Sequence, residues 1–460
     1  MRYKYFLKNF SILTVSTLIT KLLLFFMLPF YTNLLTIEEY GIIDIISTTV
    51  QLAMPIFTLC ISEAIIRFTL ENENNAKFTI NVALKVFIKG YLLIIFLSII
   101  SCAFLKTNYV YVILFNLYYI FLTLSNIYTY YLKGLEKIKI IGISSIIRVV
   151  ILVSLNCLFL IYFKIGIIGY YTSAIISEFI NVLILISYKN KYCSLNNLNS
   201  FNSNIEKEMI NYSKPFVINS ISWWINNASD KYIILLFYGT GLTGIYSISY
   251  KIPTIIEFVQ SIFSQAWQIS AIKEYKSKDS VDFFSTMYNC YNMILVFVVY
   301  FILLFLKIIA KLLFAKEFYI AWKYVPFLLL AILFGALSGF LGTIYAANKD
   351  SKMYAKSTII GAALNIAINF ILIPFLGAYG AAIATLISYF IVWLLRLLLM
   401  KKYIVLHINH FSNMLSYLSL LIMSISIIFL DNNIQIYLNL MFGAILFIIN
   451  YKSLSNIIRR

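Results

Sequence analysis

Apolar runs close to twenty residues long recur from one end of the chain to the other, separated by short polar stretches. A helix needs about 20 apolar residues to cross roughly 30 Å of hydrocarbon. On that measure the pattern predicts about fourteen helices, with twelve as the lower count: 10–34, 41–66, 84–105, 108–132, 140–163, 165–188, 213–238, 242–270, 287–313, 320–346, 354–376, 378–400, 411–431 and 434–451. The expected class is therefore an all-α, multi-pass integral membrane protein. Composition excludes the soluble alternative: of 460 residues, 62% are hydrophobic and only 12% charged, about half the charged fraction of a water-soluble domain.

The 36 Lys+Arg outnumber the 18 Asp+Glu, giving +18. In a soluble chain such an excess would suggest nucleic acid, but here its position suggests membrane topology. Basic residues gather in every second connection: Arg67 and Lys77; Lys133, Lys137 and Lys139; Lys189 to Lys214; Lys273, Lys276 and Lys278; Lys349, Lys352 and Lys356; Arg396, Lys401 and Lys402. Between them lie turns with no Lys or Arg, such as Gly239 to Thr243 and Pro374 to Tyr379. Cytosolic loops carry the positive charge of membrane proteins, so both termini are expected in the cytoplasm and no nucleic-acid partner is expected. Lys311, Lys316 and Lys323 break the alternation, falling on the expected outer side.

The longest hydrophilic connection is rich in Asn and Ser and divides the chain. The expected organisation is an N-terminal bundle of six helices over 1–188, a cytoplasmic linker over 189–212, a second six-helix bundle over 213–402, and two extra helices with a tail over 403–460. The basic N-terminus runs into an apolar stretch with no small-residue cleavage site, so it is expected to remain as the first helix. Five scattered cysteines with no CxxC give no disulfide framework or metal site.

The two bundles repeat one another. GLEKIKIIG from Gly134 leading to GIIGYYTSAIISEF from Gly166 matches NKDSKMYAK from Asn348 leading to GAYGAAIATLISYF from Gly377. Each pair is a basic turn, an apolar helix, a GxxG turn and a second helix. EEYGIIDIIS from Glu38 and LTGIYSISYK from Leu242 form a looser pair. Matched segments fall on the same membrane side, so the repeat is parallel, with pseudo-symmetry about an axis along the membrane normal.

Three segments carry a family likeness: KLLLFFMLPFYTNLLTIEEYGIID from Lys21, SDKYIILLFYGTGLTGIYSISYKI from Ser229, and GTIYAANKDSKMYAKSTIIGAALNIAINFILIPFLGAYGAAIAT from Gly342. With the helix number, they make the chain resemble the Wzx-type polysaccharide and O-antigen flippases of the multidrug/oligosaccharidyl-lipid/polysaccharide (MOP) exporter superfamily. The resemblance implies a MATE-like fold working by alternating access. It also implies transfer of undecaprenyl-pyrophosphate-linked oligosaccharide repeat units from the cytoplasmic to the outer leaflet of the bacterial inner membrane, for surface polysaccharide synthesis. Its implied partners are the lipid-linked substrate, membrane lipids, a polysaccharide polymerase and a chain-length regulator, with the flippase itself monomeric. The alternatives are a cation-coupled multidrug or metabolite exporter of the same superfamily and, from another class, a polysaccharide polymerase.

An ionisable group at a helix centre costs about 2.5–3.5 kcal/mol on insertion scales and therefore faces a wet cavity or a partner. A pyrophosphate cannot enter hydrocarbon without compensating charge, which makes Lys21, Arg148 and Lys251 candidate substrate contacts. Two of them have a plainer reading: Lys21 pairing with Asp44 or Glu63, and Arg148, about 12 Å along its helix from the basic turn, pairing with Glu178. Glu257 is read as structural and Lys89 as snorkelling to the interface. Trp224, Asn227 and Trp267, with Trp223, Asn226 and Gln268, offer ring faces and amides for sugars, against an interfacial anchoring role. Asp44, Glu63 and Asp230 are candidates for coupling to H⁺ or Na⁺ or for gating, against inter-helix pairing, and Pro29 is either a gating hinge or a static kink. Asn365 and Asn369 share a helix face and suit bridging between helices. No GxxxxGK[ST] occurs and only His407 and His410 are present, so neither an ATP-driven mechanism, a metal centre nor an enzyme is expected.

Overall fold

The computed structural model describes residues 2–71, 76–104, 108–192, 203–261, 263, 267, 280–347, 351–402, 404–430, 435 and 437–448. Gln268, Lys273, Lys276, Lys278, Lys349 and the tail beyond 448 lie outside the described residues. The chain forms two compact units, Met1–Trp224 and Ile225–Arg460. Among the described residues, twelve helices are long and apolar enough to cross a membrane, the lower end of the expected range, and Tyr437–Ile448 is a shorter apolar helix. The protein is an all-helical, multi-pass membrane protein.

The first unit contains α1 (Arg2–Phe26), α2 (Leu28–Leu34), α3 (Ile37–Phe57), α4 (Ile61–Glu71), α5 (Ala76–Phe104), α6 (Tyr109–Gly134), α7 (Ile138–Asn156) and α8 (Gly166–Tyr192), and α9 (Ser203–Ser249) begins in it. The α1 helix stops at Met27 and restarts with Pro29 in the first turn of α2. Proline is tolerated there because its missing N–H would have no partner in any case. Its missing bond breaks the helix behind it, so Pro29 marks a break in the chain path. Thr36 and Glu39 start α3 with a reciprocal capping box, satisfying two donors that a helix end leaves open. Between α3 and α4, Leu59 and Cys60 both take the left-handed conformation, with φ of 52° and 51°. Gly90 of α5 crosses so close to the end of α3 that a Cβ would strike the Phe57 carbonyl oxygen.

The second unit takes up α9 at Ile225. Gly239, with φ 78° and ψ −171°, breaks that helix where the sequence placed a turn. Residues 254–261 are helical, and α10 (Ser280–Leu304), α11 (Leu306–Leu313), a 3₁₀ segment (Lys316–Lys323), α12 (Val325–Ala347), α13 (Ser351–Leu376), α14 (Ala378–Met400) and α15 (His410–Phe429) follow. The expected helix over 287–313 is therefore two elements: the spanning helix ends at Leu304, Phe305 interrupts it, and Lys307 and Lys311 lie on the short helix beyond.

The repeat is visible in the backbone. In the first unit α6 and α7 both pack on α8, and in the second α12 and α13 both pack on α14. Gly166 and Gly377, matched in sequence, open α8 and α14 with φ of 51° and 56°, a region where a side chain's Cβ would be strained. A Cβ on Gly380 would lie 2.5 Å from the Leu372 carbonyl oxygen, so α13 and α14 touch through backbone, as small residues permit in membranes.

Candidate functional site: a buried polar cluster in each unit

In the first unit the cluster is ionic. Arg148 of α7 donates from Nη1 to Glu178 Oε1 of α8 at 2.6 Å. The Glu178 side chain is 3% exposed, and Oε2 is buried with no hydrogen-bond partner. One turn along α8, Asn181 donates to the Ser125 hydroxyl of α6 at 2.7 Å. On the side of α8 toward α3, the Tyr171 hydroxyl donates to the Ile43 carbonyl at 2.7 Å and lies 3.1 Å from the Ser47 hydroxyl. Of the two readings of Arg148, this structure has it paired with Glu178. Taking two charges out of water is costly, and proximity with good geometry offsets that cost only while both remain.

Lys21 on α1 and Asp44 on α3 are half-buried. Glu63, in the first turn of α4, hydrogen-bonds with Tyr130 of α6. The Trp224 indole donates to the Thr48 carbonyl of α3 at 2.8 Å. Lys89 is 65% exposed and 3.9 Å from Glu206, which is held more closely by Lys85 at 2.6 Å.

In the second unit the cluster is built around a single carboxylate. Asp230 is 1% exposed. Its Oδ2 accepts from the hydroxyls of Tyr246 at 2.7 Å and Tyr250 at 2.8 Å, with the Thr385 hydroxyl at 3.5 Å. Its Oδ1 accepts the Lys231 backbone N–H at 2.9 Å. Beside it, Asn365 Oδ1 accepts from Ser229 at 3.1 Å and from Asn369 at 2.9 Å, while Asn365 Nδ2 points at the Thr385 hydroxyl at 3.4 Å. Asn369 Oδ1 is buried without a partner. Three helices, α9, α13 and α14, thus converge oxygen atoms on one point. The adjacent positions of Asp230 and Lys231 point about 100° apart on a helix. The Lys231 ammonium accordingly lies over the Tyr250 ring, 5.5 Å from its centre.

The remaining expected contacts are dispersed. Asn227 accepts from the Tyr389 hydroxyl at 3.2 Å. Lys251 is half-buried in the turn that ends the α9 path, and Glu257 is exposed. The Trp267 ring is packed in the core: it is 2% exposed and stacked 4.1 Å from Phe340, with Phe283 6.0 Å away. Residue type alone does not single out Tyr246, Tyr250 or Thr385. The spacing of Tyr246 and Tyr250, one helical turn apart in the LTGIYSISYK segment, was the available signal. Arg396, which the sequence assigns to a basic connection, is instead 4% exposed. Its guanidinium donates to Ser357, to Thr358 and to the Ser338 carbonyl at 2.8–2.9 Å.

Chemically, the first cluster neutralises itself. The second concentrates a carboxylate and neutral oxygens, a donor set suited to a proton or a small hard cation and not to soft metals. Among the described residues, no three His, Cys, Asp or Glu side chains come together to hold a metal ion.

Comparison with known proteins fixes the family. The model of the polysaccharide biosynthesis protein family matches residues 6–268, more than half of the chain. The chain belongs to this family. A curated relative, the probable low-salt glycan biosynthesis flippase Agl15 of Haloferax volcanii, is 29% identical over 189 residues, 40% of this chain and 39% of its own, so the chain matches about two fifths of that relative's length. Among solved structures, the lipid II flippase MurJ in an inward closed conformation superposes with a TM-score of 0.71 at 16% identity, covering 96% of this chain and 99% of MurJ. A multidrug resistance MATE transporter of the MOP superfamily, inward-facing, gives 0.63 at 13% identity over 85% of this chain and 94% of its own. The fold is thus shared with the MurJ flippase and the MATE transporters.

Proposed function

We propose that this protein is a transporter that flips lipid-linked oligosaccharides across the membrane for glycan biosynthesis. The observation that carries the reading is membership of the polysaccharide biosynthesis family over residues 6–268, supported by a relative named as a flippase. The physical task fits a protein of this kind. A polyisoprenoid tail gains about 0.8 kcal/mol per buried CH₂ and stays in the bilayer, so only the polar head needs shelter while it crosses.

In the finer reading, the substrate is an undecaprenyl-pyrophosphate-linked repeat unit carried outward across a bacterial inner membrane by alternating access. The termini face the cytoplasm, a polymerase and a chain-length regulator act downstream, and the chain performs no catalysis itself. Lys21 and Lys251 are half-buried cations that this reading assigns to the pyrophosphate. Asp230 is the coupling group: its carboxylate, with Asn365, Asn369 and Thr385, has the oxygen donors that H⁺ or Na⁺ requires, and Asn369 Oδ1 is a buried acceptor with nothing to accept.

The test is complementation of a strain lacking its oligosaccharide flippase. The protein should restore surface glycan, while Lys21→Ala and Lys251→Ala should restore none at equal membrane abundance, with lipid-linked repeat units accumulating on the cytoplasmic face. Single repeat units displayed on the surface in its absence would identify a polymerase and overturn the reading. Normal export by both alanine variants would remove Lys21 and Lys251 from the site.

A further inference from the structure

The segment from Phe305 to Tyr324 joins α10 to α12, and it answers the charge anomaly of the sequence. It holds four lysines, Lys307, Lys311, Lys316 and Lys323, against one acid, Glu317. Its place in the second unit is set by the Tyr324 ring, 4.8 Å from that of Tyr379 beside Gly377. The Tyr238 hydroxyl, beside Gly239, donates to the Pro374 carbonyl at the same end. The turns there, Gly239 to Thr243 and Pro374 to Tyr379, contain no Lys or Arg. Positive charge at this end of the unit is thus concentrated in one surface element.

That element has three distinct faces. On α11, Leu306, Ala310 and Leu313 are buried against the protein. Advancing 100° per residue, Lys307 and Lys311 form a second face. Ile308 and Leu312 form a third, 60% and 71% exposed. Phe305, Tyr319 and Ile320 continue the exposed apolar surface. Lys307 is oriented by Gln435 Oε1 at 2.7 Å and lies 5.1 Å from the centre of the Trp322 ring. A short helix pinned to the protein on one side, with an apolar stripe beside a basic one, has the arrangement of an interfacial helix lying between acyl chains and headgroups.

We propose that this segment is a binding site for anionic phospholipid headgroups, with Lys311, Lys316 and Lys323 meeting the phosphate and Ile308 and Leu312 seated among the acyl chains. The exposed apolar stripe selects a lipid over a free anion, because a dissolved phosphate gains nothing from Ile308 or Leu312. The clustered lysines select an anionic headgroup over a zwitterionic one.

The experiment is thermal unfolding of the full-length protein in detergent, titrated with phosphatidylglycerol, with phosphatidylcholine of the same chain length, and with inorganic phosphate. Phosphatidylglycerol should raise the unfolding temperature, and its midpoint concentration should rise with ionic strength. A surface lysine contributes about a 5-fold gain for an anionic headgroup. The K311Q/K316Q/K323Q variant should therefore shift the midpoint by about 100-fold, while the charge-keeping K311R/K316R/K323R variant should hold it. An unshifted midpoint in the glutamine variant, or no dependence on salt in the unmodified protein, would overturn the proposal. So would an equal effect of phosphatidylcholine, which would leave only an apolar contact, or of inorganic phosphate, which would leave only a free-anion site.

Discussion

Helices α8 and α14 are built alike and serve different chemistry. Both begin on a left-handed glycine, and both receive two packed neighbours in the same order. Counting from those glycines, Glu178 of α8 corresponds to Tyr389 of α14, and Ala174 corresponds to Thr385. In the first unit the acid stands on the repeat helix and is matched by Arg148 across a 2.6 Å ion pair. In the second the acid, Asp230, stands on α9, and the repeat helix contributes a hydroxyl. Backbone geometry has stayed with the duplicated frame while the titratable group has moved to another helix. The first cluster closes a charge balance and ties α7 to α8; the second surrounds a carboxylate with hydroxyls and a backbone amide, with Lys231 as its neighbouring charge.

The largest effect should come from breaking the ionic cluster. Arg148→Ala strands Glu178 in a buried site and should cost about 3–5 kcal/mol, read as a fall in unfolding temperature, whereas R148M/E178L should recover most of it. If the single and double variants lose equally, the pair is not what holds these helices. Asp230→Asn should cost less, about 1.5–3 kcal/mol for hydrogen bonds to a charged group. It should also abolish any dependence of unfolding temperature on Na⁺ and reduce glycan export at least about 10-fold. Glu178→Gln should leave the Na⁺ response intact, and a response lost in both would erase the distinction between the clusters. Gly90→Ala and Gly380→Ala, one in each unit, should each cost about 1–3 kcal/mol through overpacking against a carbonyl, measured by the same unfolding assay. The smallest expected effect is that of Tyr250→Phe, about 1.5 kcal/mol, the low end for one hydrogen bond to a charged group, since the Tyr246 hydroxyl still serves the same oxygen, with Tyr246→Phe alongside as its check.

Most of the fold was legible in the sequence because the bilayer imposes one rule, a helix long enough and apolar enough to cross, and that rule is written in residue type. The GxxG repeat was legible for a similar reason: Gly166 and Gly377 are needed for a backbone conformation, and that need fixes the letter. The breaks were less legible. Nothing in Leu59 or Cys60 announces a left-handed pair, since both are ordinary helix residues forced by the turn after Pro55. The end of α10 at Leu304 was hidden because Phe305 through Leu313 is as apolar as the helix before it. For the sites, the acids and bases could be named, but their partners depend on which faces meet in space. Arg148 and Glu178 were visible as an alternative because their helices are consecutive. Tyr246 and Tyr250 were missed because 36 tyrosines in the chain make any two of them unremarkable. Arg396 was misassigned to a connection because it lies near other basic residues, although its helix carries it back among Ser338, Ser357 and Thr358.

The paired left-handed residues after α3 have a consequence of their own. Each such conformation in a residue with a side chain costs about 1–3 kcal/mol, so the packing around the junction must hold it against its own backbone preference. One of the two residues carries a thiol: Cys60 is 9% exposed, with its sulfur 3.6 Å from the Ser220 hydroxyl. A maleimide should therefore leave Cys60 unmodified in the folded protein, because the bend holds this thiol among its neighbours and out of reach.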